Sequence, residues 1–107
     1  MSQRSLPDNR ILSQLGLATK AGKLVSGEFM AEKAVRDYKA ALVIVAEDAS
    51  DNTKKHFTDM CNYRNIPILF FGTKDSIGKC IGKQMRASIA ITDQGFAKSI
   101  IEKVNGQ

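Results

Sequence analysis

The sequence predicts a three-layer α/β domain, with helices on both faces of a four-stranded sheet. Three observations carry that expectation. After one leading helix, short apolar runs alternate four times with segments whose apolar residues recur at helical spacing. The run 41–46, ALVIVA, is continuously apolar and rich in β-branched residues, which suits a strand covered on both faces. No repeat, linker or low-complexity stretch interrupts the 107 residues, a length that supports one domain around one core.

The elements follow in order. Ile11, Leu12, Leu15 and Ala18 mark the first helix, with Asp8 or Asn9 as its cap and Gly22 as its stop. A short strand covers Lys23, Leu24 and Val25. A second helix opens at Ser26 and Gly27, with Met30, Ala34, Phe29 and Tyr38 on its buried side. Lys33, Arg36 and Lys39 follow at a spacing of three and lie near one another on its surface. Beyond the strand 41–46, Ser50 or Asp51 caps a third helix that runs to about Arg64, with Phe57, Met60 and Cys61 inward. Asn65 ends it, and Pro67 cannot continue it. Residues 68–71 form the third strand, which Gly72 breaks, and a short helix opens at Lys74 or Asp75 and reaches Ile81. Residues 87–91 form the fourth strand, and a last helix over 93–104 carries Phe96, Ile100, Ile101 and Val104 as its apolar stripe.

Composition narrows the function. Hydrophobic residues at 43% and charged residues at 25% belong to a folded chain, which excludes wholesale disorder. A net charge of +5 favours an anionic partner. Two cysteines, Cys61 and Cys80, make no disulfide framework, no segment resembles a secretory signal, and the longest apolar run is far too short to span a bilayer. The expectation is a cytoplasmic protein with reduced thiols and no membrane contact.

Catalytic readings fail one by one. The segment 72–80, GTKDSIGKC, resembles a nucleotide-binding loop, but five residues rather than four separate its glycines and Cys80 stands where Ser or Thr must hold magnesium. His56 is the one histidine, and with two separated cysteines it supplies no four-ligand zinc site. Lys79 and Lys83 flank Cys80 and favour its thiolate, yet small buried or half-buried hydrophobes describe both cysteines better. Glu47 and Asp48 end the buried strand with no histidine placed to join them, so loop solvation and helix capping account for them. No enzyme, cofactor or small-molecule substrate is expected.

The basic surface is more informative. Lys74, Lys79, Lys83 and Arg86 fall within thirteen residues against one acid, Asp75. A second group, Lys33, Arg36 and Lys39, borders the glycine turn and is diluted by Glu28, Glu32 and Asp37. The turn at Ser26 and Gly27 offers free backbone N–H groups at a positive helix end. If the two groups converge, they track a phosphate backbone while the turn reads shape or a base. Five Phe, two Tyr and no Trp, most of them core, make a poor stacking platform for single strands, so structured RNA fits better. Strand direction decides whether residues 83–86 share the surface of the turn.

The order and spacing of GKLVSGE, KAVR, ALVIVAEDAS, NTKK, CNYRNIPILFFGTKDSIGK and ITDQGFAK resemble the kink-turn-binding ribosomal protein family, the L-seven-Ae family, and in particular its short bacterial YlxQ-like members. The likeness covers about residues 9–104, a single domain. It implies an α/β/α sandwich with a mixed sheet, and binding to kink-turn RNA, a bulged helix with tandem sheared G·A pairs. Such proteins grip the RNA with the N-terminus of the second helix through a Gly-x-Asn-Glu-x-x-Lys motif, completed by a late loop. Aligned without gaps, the motif glycine falls on Gly27 and its lysine on Lys33, a basic residue of the fourth helix on Lys74, and the late loop on Lys83, Gln84, Met85 and Arg86. Phe29 and Met30 stand where the family has Asn-Glu, and neither can hydrogen-bond a guanine edge. Glu28 is adjacent to the vacated position. The expected RNA-binding set is therefore Lys23, Ser26, Gly27, Glu28, Lys33, Arg36, Lys74 and the four late-loop residues, on a monomer that meets ribosomal or other structured RNA. A protein-interaction adaptor on the same scaffold, with Phe29 and Met30 as apolar anchors, is the competing expectation.

Overall fold

The computed structural model describes residues 5–106. Among the described residues nine elements alternate: α1 (Ser5–Lys20), β1 (Leu24–Ser26), α2 (Glu28–Arg36), β2 (Leu42–Val45), α3 (Asp51–Arg64), β3 (Ile68–Phe70), α4 (Lys74–Cys80), β4 (Ser88–Ile91) and α5 (Gln94–Asn105). The strands lie in the order β1-β4-β2-β3. β4 runs antiparallel to both β1 and β2, and β2 pairs parallel with β3, so the sheet is mixed.

Strand periodicity divides the core into two layers. Leu42, Ile44, Ile89 and Ile91 point to one face, where α1, α4 and α5 bring Ile11, Leu15, Ile77 and Ile100. Val43, Val45 and Ala90 point to the other, covered by Ala31, Ala34 and Val35 of α2 and by Phe57 and Cys61 of α3. Every residue of β2 and β4 is buried, as strands sandwiched between helices must be. Each large apolar side chain this deep contributes about 1.5–3 kcal/mol through removal from water.

Local chemistry sets the ends. Ser50 Oγ accepts the Thr53 amide at the start of α3, Asn65 closes it in the left-handed region (φ 58°), and Asp93 accepts the Phe96 amide to open α5. At α4 the cap is Thr73, in a reciprocal capping box with Ser76. Gly22 (φ 73°) ends the α1 segment, and the Lys23 amide donates back to Ala18 O at 2.8 Å.

Several expectations need correction. α1 already begins at Ser5, so positions 8 and 9 lie within the helix and not at its start. α2 stops at Arg36, because Tyr38 turns left-handed (φ 58°) and the Lys39 amide donates to Ala34 O. Lys39 is therefore outside the helix and does not continue the ridge of Lys33 and Arg36. The buried side of α2 is Ala31, Ala34 and Val35, whereas Phe29, Met30 and Tyr38 are 70%, 43% and 68% exposed. Small alanines let the helix lie close on the sheet and leave no room beneath it for the large side chains. Cys61 is buried, and desolvation raises its pKa to about 11. Burial also raises that of Cys80, so its basic neighbours do not make it a reactive thiol. Among the described residues no helix is long and apolar enough to cross a membrane.

Candidate nucleic-acid interface

Antiparallel β4 decides the geometry. Its first residues lie at the same edge of the sheet as the carboxyl ends of β1, β2 and β3. That edge collects the turn before α2, the loop after β2, the cap of α4 and the late loop 83–86, from both faces of the sheet. Backbone bonds tie them: the Gly27 amide donates to Ser88 O (2.9 Å), that of Ala46 to Ala87 O (2.8 Å), that of Glu47 to Gly72 O (2.8 Å) and that of Arg86 to Lys74 O (3.1 Å). Asp48 Oδ1 accepts the Lys74 amide at 2.9 Å, so the carboxylate at the end of β2 has a capping role.

Arg86 pins the loop across the edge. Its Nε donates to Ser26 Oγ at 3.2 Å, and its Nη1 donates to the carbonyl of Met85 at 3.1 Å. On the other flank the loop rests on α4 at Gly78. A Cβ there would lie 2.1 Å from Gln84 O, so only glycine permits the approach. The Lys83 amide donates to Gly78 O at 2.8 Å, which seats the loop on that helix. Lys83, Gln84, Met85 and Arg86, with Asp75 and Lys79, line an open groove of about 470 Å³. Ser88, two residues after the loop, is buried, and its hydroxyl has no hydrogen-bond partner among the described residues.

The turn before α2 faces open space. Gly27 adopts φ 93°, which a side chain would strain, and a Cβ there would meet nothing within 4 Å. Among the described residues no side chain caps the helix, and its first internal bond is Ala31 N–H to Gly27 O at 2.9 Å. The amides of Glu28, Phe29 and Met30 thus present the orphan donors of a helix start. Beside them, the outer charges of α2 are already engaged. Lys33 Nζ lies 2.9 Å from Asp37 Oδ2 and Arg36 Nη1 lies 3.1 Å from Glu32 Oε1. The hydrogen bond from Lys33 holds Asp37 below the usual carboxylate range. Burial pushes Glu32 up, and the hydrogen bonds from Arg36 and His56 outweigh it, so its pKa is lowered.

Of the expected site residues, the structure brings together Ser26, Gly27, Glu28, Lys74, Lys83, Gln84, Met85 and Arg86, with Lys33 little more than one turn along α2. It does not bring in Lys23 or Arg36. Lys23 O accepts the Thr92 amide at the opposite edge of the sheet, and Arg36 closes the far end of α2, about 12 Å along the axis. Sequence reasoning missed the bond of His56 Nε2 to Glu32 Oε2 (2.7 Å), a pairing 24 residues apart for which the sequence carries no signal. Among the described residues one group has metal-ligand character: Glu28, Glu32 and His56, with donor atoms within 4.8 Å of one another. Glu32 there is already taken by Arg36 and His56, so the arrangement is that of a hydrogen-bonded network.

Comparison with known proteins agrees with this architecture. The chain is 47% identical over 87 residues to RNA-binding protein YlxQ of Bacillus subtilis (strain 168), covering 81% of this chain and 87% of that one. It is 32% identical over 97 residues to large ribosomal subunit protein eL8 of Cenarchaeum symbiosum (strain A), covering 90% and 77% respectively. A solved structure of a protein with unknown function from Bacillus halodurans C superimposes with a TM-score of 0.86 at 37% identity, over 89% of this chain and 96% of that one. A model of the ribosomal protein L7Ae/L30e/S12e/Gadd45 family matches residues 9–101, and the chain belongs to that family.

Proposed function

We propose that this protein binds structured RNA of the kink-turn class, ribosomal or translation-related, as a single copy and without catalysis. The observation that carries the reading is the bridge from Arg86 Nε to Ser26 Oγ. It fixes a loop bearing Lys83 and Arg86 beside the uncapped start of α2. Lys74 joins them through its carbonyl bond to the Arg86 amide. Cations on one side and free amides on the other suit a bent backbone, whose phosphates approach from two directions. The names of the relatives from B. subtilis and C. symbiosum support the same reading. Phe29 and Met30 replace the Asn-Glu pair, so base-edge hydrogen bonds, at about 1–3 kcal/mol each, are absent and shape readout carries more of the specificity.

The test is to follow backbone amide resonances while a kink-turn RNA hairpin is added. The expected outcome is a contiguous set of shifted amides over 26–30, at Lys74 and over 83–86. Shifts confined to another face would refute the site. The exposure of Phe29 and Met30 keeps a second reading, an adaptor that docks a protein through those side chains. In that case RNA would leave every amide unmoved.

A further inference from the structure

The proposed RNA site uses the Phe29 amide and leaves its side chain without a role, and the setting of that side chain is unusual. It is 70% exposed, the most open phenylalanine among the exposed large hydrophobics. The buried residues Ala31, Ala34 and Val35 fix the inner face of α2, and Phe29 then falls on the opposite ridge with Lys33 and Arg36 at i+4 and i+7. The ring adds nothing to the core. Nor does it join a wide apolar patch on its own helix. Its helical neighbours Glu32, Lys33 and Arg36 are charged and paired, and Met30 turns aside into a groove with Val25, Ala34 and Thr92. A protein-docking surface needs contiguous apolar area, and one ring does not supply it.

A single flat ring fits a single flat partner. The ion pairs Lys33–Asp37 and Arg36–Glu32 engage the cations of the ring's own helix face, so that face offers the RNA no free positive charge beside the ring. The cationic part of the surface, Lys74, Lys83 and Arg86, lies across the turn. A neutral aromatic group tethered to phosphates matches both halves. A base inside a duplex already has both faces covered, so only an unpaired base is free to stack. We infer that Phe29 is a stacking platform for an unpaired nucleobase of the bound RNA, replacing edge recognition at this position of the helix by recognition of a π-face. The inference rests on the RNA-binding reading above.

The chain has no tryptophan, so Phe29→Trp supplies a single fluorescent probe at the ring. With a kink-turn RNA hairpin, F29W is expected to bind within about twofold of the parent, and its emission to quench in step with saturation, because an indole stacks on bases as a phenyl ring does. F29A should bind about 5- to 100-fold more weakly with an unchanged salt slope, since no charge is lost. Circular dichroism of both variants should match the parent, given how exposed the residue is. RNA affinity retained in F29A, or unchanged indole emission from RNA-saturated F29W, would overturn the stacking role while leaving RNA binding intact. A parent chain that binds no RNA would overturn both.

Discussion

Gly78→Ala tests whether α4 seats the late loop. Gly78 is buried in α4, and a Cβ on it would sit 2.1 Å from Gln84 O, 2.7 Å from Gln84 C and 3.1 Å from Met85 Cα. All three are backbone atoms, so no side chain can swing away. Restoring an ordinary contact of 3.4 Å requires the loop to retreat by more than about 1 Å. That movement strains Lys83 N–H to Gly78 O and Arg86 N–H to Lys74 O, at 2.8 and 3.1 Å. Overpacking of this kind costs about 1–3 kcal/mol, and a clash with backbone belongs at the upper end. The better helix propensity of alanine offsets about 1 kcal/mol. The net is about 1–2 kcal/mol, which for a domain of this size lowers Tm by about 5–15 °C. Displacing Lys83 and Arg86 should also weaken RNA binding by about tenfold, equivalent to about 1.4 kcal/mol. Scanning calorimetry and an RNA titration at a temperature where both proteins are folded measure the two effects. A variant with the parent's Tm and the parent's affinity would refute the claim that the loop is held by this contact.

Further outcomes follow from the same geometry. Arg86→Lys keeps the charge but loses the bridge to Ser26, whereas Arg86→Ala loses both. The salt slope of RNA binding should fall by about 0.7–0.9 only in the alanine variant, while thermal stability falls in both. Glu32 has its pKa lowered, so its contribution to stability is present above the ordinary carboxylate range and is lost as pH falls through the folded-state value. Glu32→Gln should flatten the acid limb of the unfolding profile below about pH 4.5. Cys61, with a pKa of about 11, shows the opposite sign: stability is intact below pH 9 and falls toward pH 11, by roughly 2–3 kcal/mol at most, and Cys61→Ala should remove that limb. A thiol reagent near pH 8 should label Cys80 before Cys61, which reacts only on unfolding.

The sheet was legible because its central strands are apolar on both faces. β2 and β4 need no tertiary information to be recognised, and Gly22, Ser50, Asn65 and Asp93 mark helix ends through local chemistry alone. The orientation of α2 was not legible. Phe29, Met30 and Tyr38 read as core by their hydrophobicity, yet the core face is made of Ala31, Ala34 and Val35, because the distance between helix and sheet, not residue size, selects what lies beneath. The termination of α2 at Tyr38 was equally hidden, since a left-handed tyrosine is not a signal that local propensity carries. For the site, the glycine turn and the basic loop could each be read from the sequence. Their convergence could not, since Ser26 and Arg86 are 60 residues apart and meet only because β4 is antiparallel to β1.

Recognition of bent RNA by this edge of the sheet is tested most directly by titration calorimetry of the protein against a kink-turn RNA and a plain duplex of equal length, at two salt concentrations. Binding to the kink-turn should exceed binding to the duplex at both salts, with a slope that reflects the few cations at this edge. Equal and steeply salt-dependent binding to both RNAs, or binding to neither, would contradict it.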